Sequence, residues 1–194
     1  MIRSKQDYLF YLSEDRIALG KRKKGILAEI KQFFFPDYIW QFQKLMRKFE
    51  YYSNCKRDVF SKIYTLLLRI KFRKISLKLG FSIPINTFGP GLSIVHYGTI
   101  VVNGNAKIGA NCRIHASTNI GASNGSNKAP QIGDNVYLAP GVIIFGDIHI
   151  PNNTLISANS TVNKTFTEEN TMLAGSPAKV IKTIDVKSVI KHLN

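Results

Sequence analysis

The chain has little cysteine, few acidic residues and no long apolar run. Only two of its 194 residues are cysteines, Cys55 and Cys112, and they have no CxxC spacing, so we expect neither a disulfide framework nor a cysteine-based metal site. The longest apolar stretch, at residues 63–70, is far shorter than the ~20 residues that a membrane-spanning helix needs. The first ten residues lack the apolar core of a signal peptide. These absences predict a cytoplasmic protein that does not cross a membrane.

Acidic residues are scarce above all in the first part of the chain. The sequence has 27 Lys and Arg against 12 Asp and Glu, a formal net charge of +15, and residues 1–80 hold 19 of the basic and 7 of the acidic residues. A basic segment can bind nucleic acid, an anionic membrane surface or a phosphorylated ligand, or it can be a solvated helix face. No zinc-finger spacing and no RNP-type aromatic pair accompanies the charge, so nucleic acid is not an expected partner. Peripheral membrane contact through the basic N-terminal helices stays open.

Residues 1–80 predict an α-helical region. Ser4, followed by Asp7 three residues later, resembles a capping box and starts the first helix, and Gly20 is a signal for its end. A second helix is predicted over residues 25–35, because a proline follows it and cannot continue it.

Asp37 and Asp58 are predicted to start a third and a fourth helix. The third carries a stripe at helical spacing that we interpret as a helix–helix seam: Trp40, Leu45, Met46, Phe49 and Tyr52. The fourth carries an apolar series: Val59, Ile63, Leu66, Leu67, Ile70 and Leu77. Its polar face is Lys62, Arg69, Lys71, Arg73, Lys74 and Lys78.

After Gly80 a six-residue period replaces the helical one. It is marked by aliphatic residues at Ile108, Ile114, Ile120, Ile132, Leu138, Ile144, Ile150, Ile156 and Val162. Such short repeats are typical of a hexapeptide β-helix, in which three rungs make one coil and each aliphatic side chain stacks on its counterpart one coil away, about 4.8 Å along the axis. We therefore predict a mainly β fold, a left-handed parallel β-helix over residues 81–182. An α-helical N-terminal region, residues 1–80, precedes it, and a C-terminal tail, residues 183–194, follows.

The period is interrupted near His96. Extending it backwards from Ile108 in strict steps of six would bury the imidazole of His96 among aliphatic side chains. A register through Ile94 and Ile100 avoids this, at the cost of an eight-residue step to Ile108 and a bulge at residues 102–104. We prefer this second register, which turns His96 to the surface.

A second interruption covers residues 121–131. This segment is rich in glycine, serine and asparagine and has no aliphatic residue at the intermediate rung position. Such composition is typical of a loop, so we predict a loop that projects from a corner of the prism. The alternative is a polar rung with Ser126 facing inwards.

Several of these segments together resemble a known family. The run Gly-Pro-Gly-Leu-Ser-Ile-Val-His-Tyr-Gly-Thr-Ile-Val-Val-Asn at 89–103, the hexapeptides, and Ala-Gly-Ser-Pro-Ala-Lys at 174–179 resemble the serine-acetyltransferase-like branch of the hexapeptide acyltransferases. Proteins of this kind act in cysteine synthesis and in surface-polysaccharide synthesis. The resemblance implies an enzyme that moves an acetyl group directly from acetyl-CoA, its co-substrate, to a hydroxyl. It also implies a homotrimer or a larger assembly, with the pantetheine arm between two prisms.

The resemblance implies roles for a small set of residues. His96 matches the catalytic position and would act as the general base, a role that suits histidine because it titrates near neutral pH. The implied acceptor contacts are His115, Asn124 and Lys128. The implied acetyl-CoA contacts are Asn103, Gly121, Ala139, Ser157 and Lys179. For His115 and Lys179 a structural or solvated role stays open. No metal is expected, because the histidines lack the close pair of a zinc site.

Two departures from the family bear on the acceptor. Val95 stands where serine acetyltransferases have an aspartate before the histidine, and Lys128-Ala129-Pro130 stands where they have Arg-His-Pro. An arginine can hold a carboxylate with two parallel hydrogen bonds, which lysine and alanine cannot. We therefore expect the acceptor to be a hydroxyl of a sugar or glycan in surface-polysaccharide synthesis, with L-serine as the alternative. Sugar N-acetylation and a non-catalytic trimeric scaffold also stay open.

Overall fold

The computed structural model describes residues 1–21, 35–123 and 125–193. In these ranges the α-helices are α1 (Lys5–Ala18), α2 (Tyr38–Cys55) and α3 (Val59–Leu79). Each begins at a predicted cap, because the side chains of Ser4, Asp37 and Asp58 accept a hydrogen bond from the amide three residues later. The helix predicted over residues 25–35 lies, except for its last residue, outside the described part of the chain.

Short strands follow the helices and form three parallel faces. The strands are β1 (Phe81–Ser82), β2 (Ser93–Ile94), β3 (Ile100–Val102), β4 (Lys107–Ile108), β5 (Arg113–Ile114), β6 (Thr118–Gly121), β7 (Gln131–Ile132), β8 (Tyr137–Leu138), β9 (Ile143–Phe145), β10 (His149–Ile150), β11 (Leu155–Ile156), β12 (Thr161–Val162), β13 (Thr171–Gly175) and β14 (Ala178–Thr183). Face A contains β1, β3, β6, β9 and β12, face B contains β4, β7 and β10, and face C contains β2, β5, β8, β11 and β13. β14 folds back antiparallel on β13.

The aliphatic residues of the six-residue period stack inside the prism. Ile120 is paired in register with Ile144, Ile108 with Ile132, and Ile114 with Leu138. Nearly all of these side chains are fully buried, which removes apolar surface from water along the whole axis. The left-handed parallel β-helix predicted from the period is confirmed.

Asparagines turn the corner between faces B and C. Asn111, Asn135 and Asn153 lie in the left-handed region with φ of 57°, 57° and 55°, a conformation that asparagine tolerates better than most residues. Their amides form a ladder in which Asn111 donates to Asn135 and Asn135 to Asn153, each over 2.9 Å. At this corner the asparagine side chains thus hydrogen-bond one another from coil to coil.

The first interruption of the period lies elsewhere than predicted. Val102 pairs with Ile120, and the step from Val102 to Ile108 is an ordinary six residues, so the predicted bulge at 102–104 is wrong. The extra residues lie at the corner of His96 itself. Three residues separate Val95 from Thr99, where the next coil has one at the equivalent place. A corner can lengthen outwards without disturbing the aliphatic stack, whereas a bulge inside a rung cannot.

Buried Arg47 joins the helices to the first coil of the β-helix. Its guanidinium donates to both carboxylate oxygens of Asp15 on α1 over 2.8 and 3.1 Å and to Glu50 on α2 over 3.0 Å. It also donates to the carbonyls of Phe88 and Gly89 over 3.0 and 2.6 Å. The two carboxylates raise the pKa of Arg47, against the effect of burial. Arg47 and its partners thus link residues on both sides of the predicted boundary between 80 and 81. The division of the chain into regions 1–80, 81–182 and 183–194 stays a prediction.

α3 packs on α2 through only one of its faces. Leu68, Phe72 and Leu79 are buried, and the Phe72 ring stacks on Phe42 of α2 with ring centroids 5.1 Å apart. Phe49, from the predicted aromatic stripe of α2, lies 5.7 Å from the same ring, which agrees with a helix–helix seam. The apolar series predicted on α3 lies on the opposite side of the helix and is exposed.

Candidate active site

His96 lies on the lengthened corner that follows β2, and it is exposed. Gly98, with a φ of 130°, lets this corner pass over the next coil, where an added Cβ would come within 3.1 Å of Ala116. Within the described residues nothing hydrogen-bonds the His96 ring. Its neighbour is the ring of His115, with centroids 6.3 Å apart. The side chain that occupies the place of the family's aspartate, Val95, offers no hydrogen bond.

His115 is buried beside His96 and is held in one tautomer. Its Nδ1 lies 2.9 Å from the carbonyl oxygen of Leu138, and because a carbonyl only accepts, Nδ1 must carry the proton. Nε2 is then an acceptor, and the hydroxyl of Tyr137 lies 3.4 Å from it. Burial lowers the pKa of His115, and the charges of Arg113 and His96 lower it further. His115 is therefore a neutral imidazole. Tyr137 was not among the predicted site residues.

The lowered pKa of His115 predicts that the fold loses stability in mild acid. Between the ordinary histidine pKa of 6.5 and the lower folded value, the unfolded chain binds more protons than the folded one. Above about pH 6.5, His115 makes its whole contribution to the free energy of unfolding. As the pH is lowered below this value, the contribution falls. Urea unfolding at a series of pH values checks this.

The matched variants for this measurement are His115→Asn and His149→Asn. Asparagine at 115 can still donate to the Leu138 carbonyl but does not titrate, so the pH dependence should flatten. His149 is exposed, and its replacement should leave the slope unchanged. Burial also lowers the pKa of His192, so part of the slope persists in both variants. Equal slopes in wild type and His115→Asn would contradict the assignment.

Two of the predicted acetyl-CoA contacts share the corner of His96. His115, Ala139 and Ser157 occupy equivalent places in successive coils, as shown by the bonds from the His115 amide to Leu138 (3.2 Å) and from the Ala139 amide to Ile156 (3.0 Å). Ala139 is buried. The Ser157 hydroxyl is buried too and, among the described residues, has no hydrogen-bond partner. These residues form an edge that runs along the axis away from His96.

Two other predicted contacts lie at a different corner, between faces A and B. Asn103 and Gly121 are one coil apart there, and the Asn103 amide donates to Ile120 over 2.7 Å. Lys179 is exposed on β14. One chain therefore does not gather all of these residues at His96, and each of these assignments stays a prediction.

Residues 122–123 and 125–130 lie between β6 and β7, at the corner between faces A and B. Ser126 is exposed, so the segment is the predicted loop and not an inward-facing rung. Lys128, a predicted acceptor contact, is tied to Asp147 by an ion pair of 2.6 Å, with both side chains largely exposed. Asn124, another predicted contact, lies outside the described residues.

The surroundings of His96 are open in a single chain. A cleft of about 510 Å³ lies nearby and is lined by Val95, Arg113 and His192 among others, but neither His96 nor His115 lines it. In the described ranges no three His, Cys, Asp or Glu side chains are placed to hold a metal ion. A ligand at His96 would need further walls to exclude water.

Serine acetyltransferases are among the known proteins that resemble this chain in sequence. No family model matches the chain. A serine acetyltransferase from Staphylococcus aureus is 32% identical over 101 residues, which are 51% of this chain and 47% of that protein. One from Staphylococcus epidermidis is 35% identical over 97 residues, 48% of this chain and 45% of that protein. The matches thus cover about half the length of these curated relatives.

Solved structures of serine acetyltransferases also resemble this chain. The enzyme from Brucella abortus in complex with coenzyme A has a TM-score of 0.71 at 20% identity, and the match covers 93% of this chain and 70% of that one. The enzyme from Neisseria gonorrhoeae in complex with serine has a TM-score of 0.68 at 22% identity, over 90% of this chain and 69% of that one. In sequence over about half of its length, and in fold over nearly all of it, this chain resembles the serine acetyltransferases, as its motifs predicted.

Proposed function

We propose that the protein is an acetyl-CoA-dependent O-acetyltransferase and that His96 is its general base. The observation that carries this proposal is the position of His96. The corner that bears it has two more residues than the corner of the next coil, and they hold the imidazole outside the aliphatic stack of the prism. Solenoids have uniform faces, so a local departure of this kind is where a functional side chain is expected.

The reaction needs one proton transfer and one acyl transfer. The His96 imidazole takes the proton from the acceptor hydroxyl while the hydroxyl oxygen attacks the thioester carbonyl of acetyl-CoA. The C–S bond then breaks, the acetyl group stays on the acceptor oxygen, and the CoA thiolate leaves and takes up the proton from His96. His115 presents a neutral imidazole beside His96, so it adds no positive charge of its own against the protonated form of the base.

The residues along the edge from His96 suit a pantetheine arm. The buried Ser157 hydroxyl has no partner among the described residues and is therefore available to hydrogen-bond a ligand amide. Ala139, in the coil between, has a small side chain that leaves room for a ligand backbone. Lys179 is an exposed cation on β14 and can meet a phosphate group as a point charge.

The acceptor is a hydroxyl, and sequence similarity favours L-serine over the sugar hydroxyl that the motifs suggested. A sugar hydroxyl stays as the second candidate for a specific reason. A serine carboxylate needs a cation, and Lys128 is already paired with Asp147, while Val95 and Ala129 offer no polar group. The role in polysaccharide synthesis, sugar N-acetylation and the non-catalytic scaffold have no comparable support.

We infer a homotrimer because one chain leaves the site incomplete. Gly121 and the loop residues 122–123 and 125–130 lie at one corner of the prism, and His96 and His115 lie at another. Packing the first corner of one copy against the second corner of its neighbour would bring both sets together and enclose the open surface at His96. We also infer a cytoplasmic location, where acetyl-CoA is available and cysteines such as Cys55 and Cys112 stay reduced.

Release of CoA thiol by the purified full chain tests the proposed function. With acetyl-CoA and L-serine we expect steady thiol release, and with L-alanine, which lacks the hydroxyl, only background. Release with a nucleotide sugar or glycan but not with L-serine would select the second acceptor. No release with any acceptor, together with no CoA binding by calorimetry, would overturn the proposal in favour of a scaffold.

A further inference from the structure

α3 has an apolar stripe on the side that faces away from α2. Its members recur at steps of three, four and seven residues, so they lie along one line of the helix: Val59, Ile63, Leu66, Ile70 and Leu77. Each of these side chains is between 46% and 75% exposed. Leu67 and Phe60 widen the stripe on one side and are 50% and 84% exposed. We call this set the outer stripe of α3. An exposed apolar surface of this extent marks an interaction site.

Lysines and arginines border the outer stripe on both sides. By the same helical steps, one border consists of Lys62, Arg69 and Arg73. The other consists of Lys71, Lys74 and Lys78. α3 contains no acidic residue, and Asp58 caps its N-terminus. The stripe is therefore an apolar line between two rows of positive charge.

We propose that the outer stripe of α3 binds the surface of a membrane that contains anionic lipids. A helix with an apolar line and long basic side chains on both borders lies in the plane of a membrane interface, where the apolar side chains enter the acyl region and the basic ones reach the headgroups. Anionic headgroups supply the negative charge that the two rows need. None of the helices in the described ranges is long and apolar enough to span a membrane, so the contact is peripheral.

The charges argue against a second copy of the same helix as the occupant. If two outer stripes packed together, the borders of one helix would face the borders of the other. In paired helices these border positions decide which partners are compatible, and here only like charges would meet. Pairing two copies would thus juxtapose rows of lysine and arginine without a carboxylate to offset them.

Vesicle sedimentation of the full-length chain tests the proposal without reference to acetyl transfer. With equimolar phosphatidylglycerol and phosphatidylcholine we expect the protein in the pellet, and with phosphatidylcholine alone in the supernatant. High salt should reduce binding, because it screens the charges. Arg69→Gln/Arg73→Gln should weaken the partition by about tenfold or more, given roughly fivefold for each basic residue near an anionic surface.

Two further variants separate the outer stripe from exposed apolar surface in general. Ile63→Gln/Leu66→Gln should weaken the partition by about tenfold or more, since each large aliphatic side chain contributes on that scale. Val180→Gln/Ile181→Gln replaces two exposed aliphatic residues of β14 and should bind like wild type. Circular dichroism is the check that each variant is folded.

Three results would overturn the proposal. They are no binding to the anionic vesicles, equal binding to neutral ones, and a loss in Val180→Gln/Ile181→Gln as large as the loss in Ile63→Gln/Leu66→Gln. The proposal would also be overturned if light scattering found that the wild-type protein forms a larger assembly, that Ile63→Gln/Leu66→Gln dissociates this assembly, and that the wild-type protein does not bind vesicles. In that case the outer stripe would be an interface between copies.

Discussion

Replacing His96 with alanine is expected to lower the rate of acetyl transfer by about 10²- to 10⁴-fold, the usual loss when a general base is removed. The acceptor hydroxyl would then attack the thioester while still protonated, or give its proton to water. No hydrogen bond of the described residues depends on the His96 ring, and the ring is exposed, so the variant should fold and bind CoA as wild type does. Thiol release with the acceptor identified as above measures the loss.

The control for this experiment is another exposed histidine. His149 lies on β10 in face B, away from the corner of His96, and His149→Ala should keep the full rate. If His96→Ala were as active as His149→Ala, His96 would not be the base. His115→Ala could not serve in its place, because it removes one of the two donors to the Leu138 carbonyl and deletes a buried ring that packs against Tyr137.

The strict six-residue period made the β-helix predictable from sequence, because every coil has the same packing requirement. An aliphatic side chain at each sixth residue satisfies one packing requirement, and the stack of Ile120 on Ile144 follows from it. The caps of the helices were also predictable, since Ser4, Asp37 and Asp58 act on amides only three residues away.

The features that could not be predicted depend on contacts that no period encodes. Two residues had to be inserted near His96, but whether they fall in a rung or a corner depends on where outward space exists. The six-residue lattice shows that Tyr137 points outwards from the prism, yet not that its hydroxyl turns towards His115. The exposure of the apolar series of α3 could not be predicted either, because the sequence alone does not reveal that Phe72 contacts α2 and that Leu68 is buried instead.

Replacing Arg47 with leucine is expected to lower the free energy of unfolding by about 3–5 kcal/mol. The change leaves the buried carboxylates of Asp15 and Glu50 without their cation, and breaking one partner of a buried ion pair costs on this scale. For a chain of this length the melting temperature should fall by roughly 6–20 °C. The carbonyls of Phe88 and Gly89 lose their donors as well. Thermal unfolding followed by circular dichroism measures the change.

Three comparisons show whether the loss belongs to the buried charges. Arg57→Leu removes an exposed arginine and should change the free energy of unfolding by no more than about 0.5 kcal/mol. Arg47→Lys keeps the charge but cannot form the two-pronged bond to Asp15, so it should lose less than Arg47→Leu.

The combination Asp15→Asn/Arg47→Leu/Glu50→Gln should recover part of the stability of Arg47→Leu. It buries no charge, and the new amide oxygens can still accept from the amides of Leu92 and Asn86, as the carboxylates do over 2.9 and 2.8 Å. If Arg47→Leu were no less stable than Arg57→Leu, the cluster would not hold the helices on the first coil. If the combination recovered nothing, the lost bonds to the carbonyls of Phe88 and Gly89, and not the unpaired charges, would account for the effect.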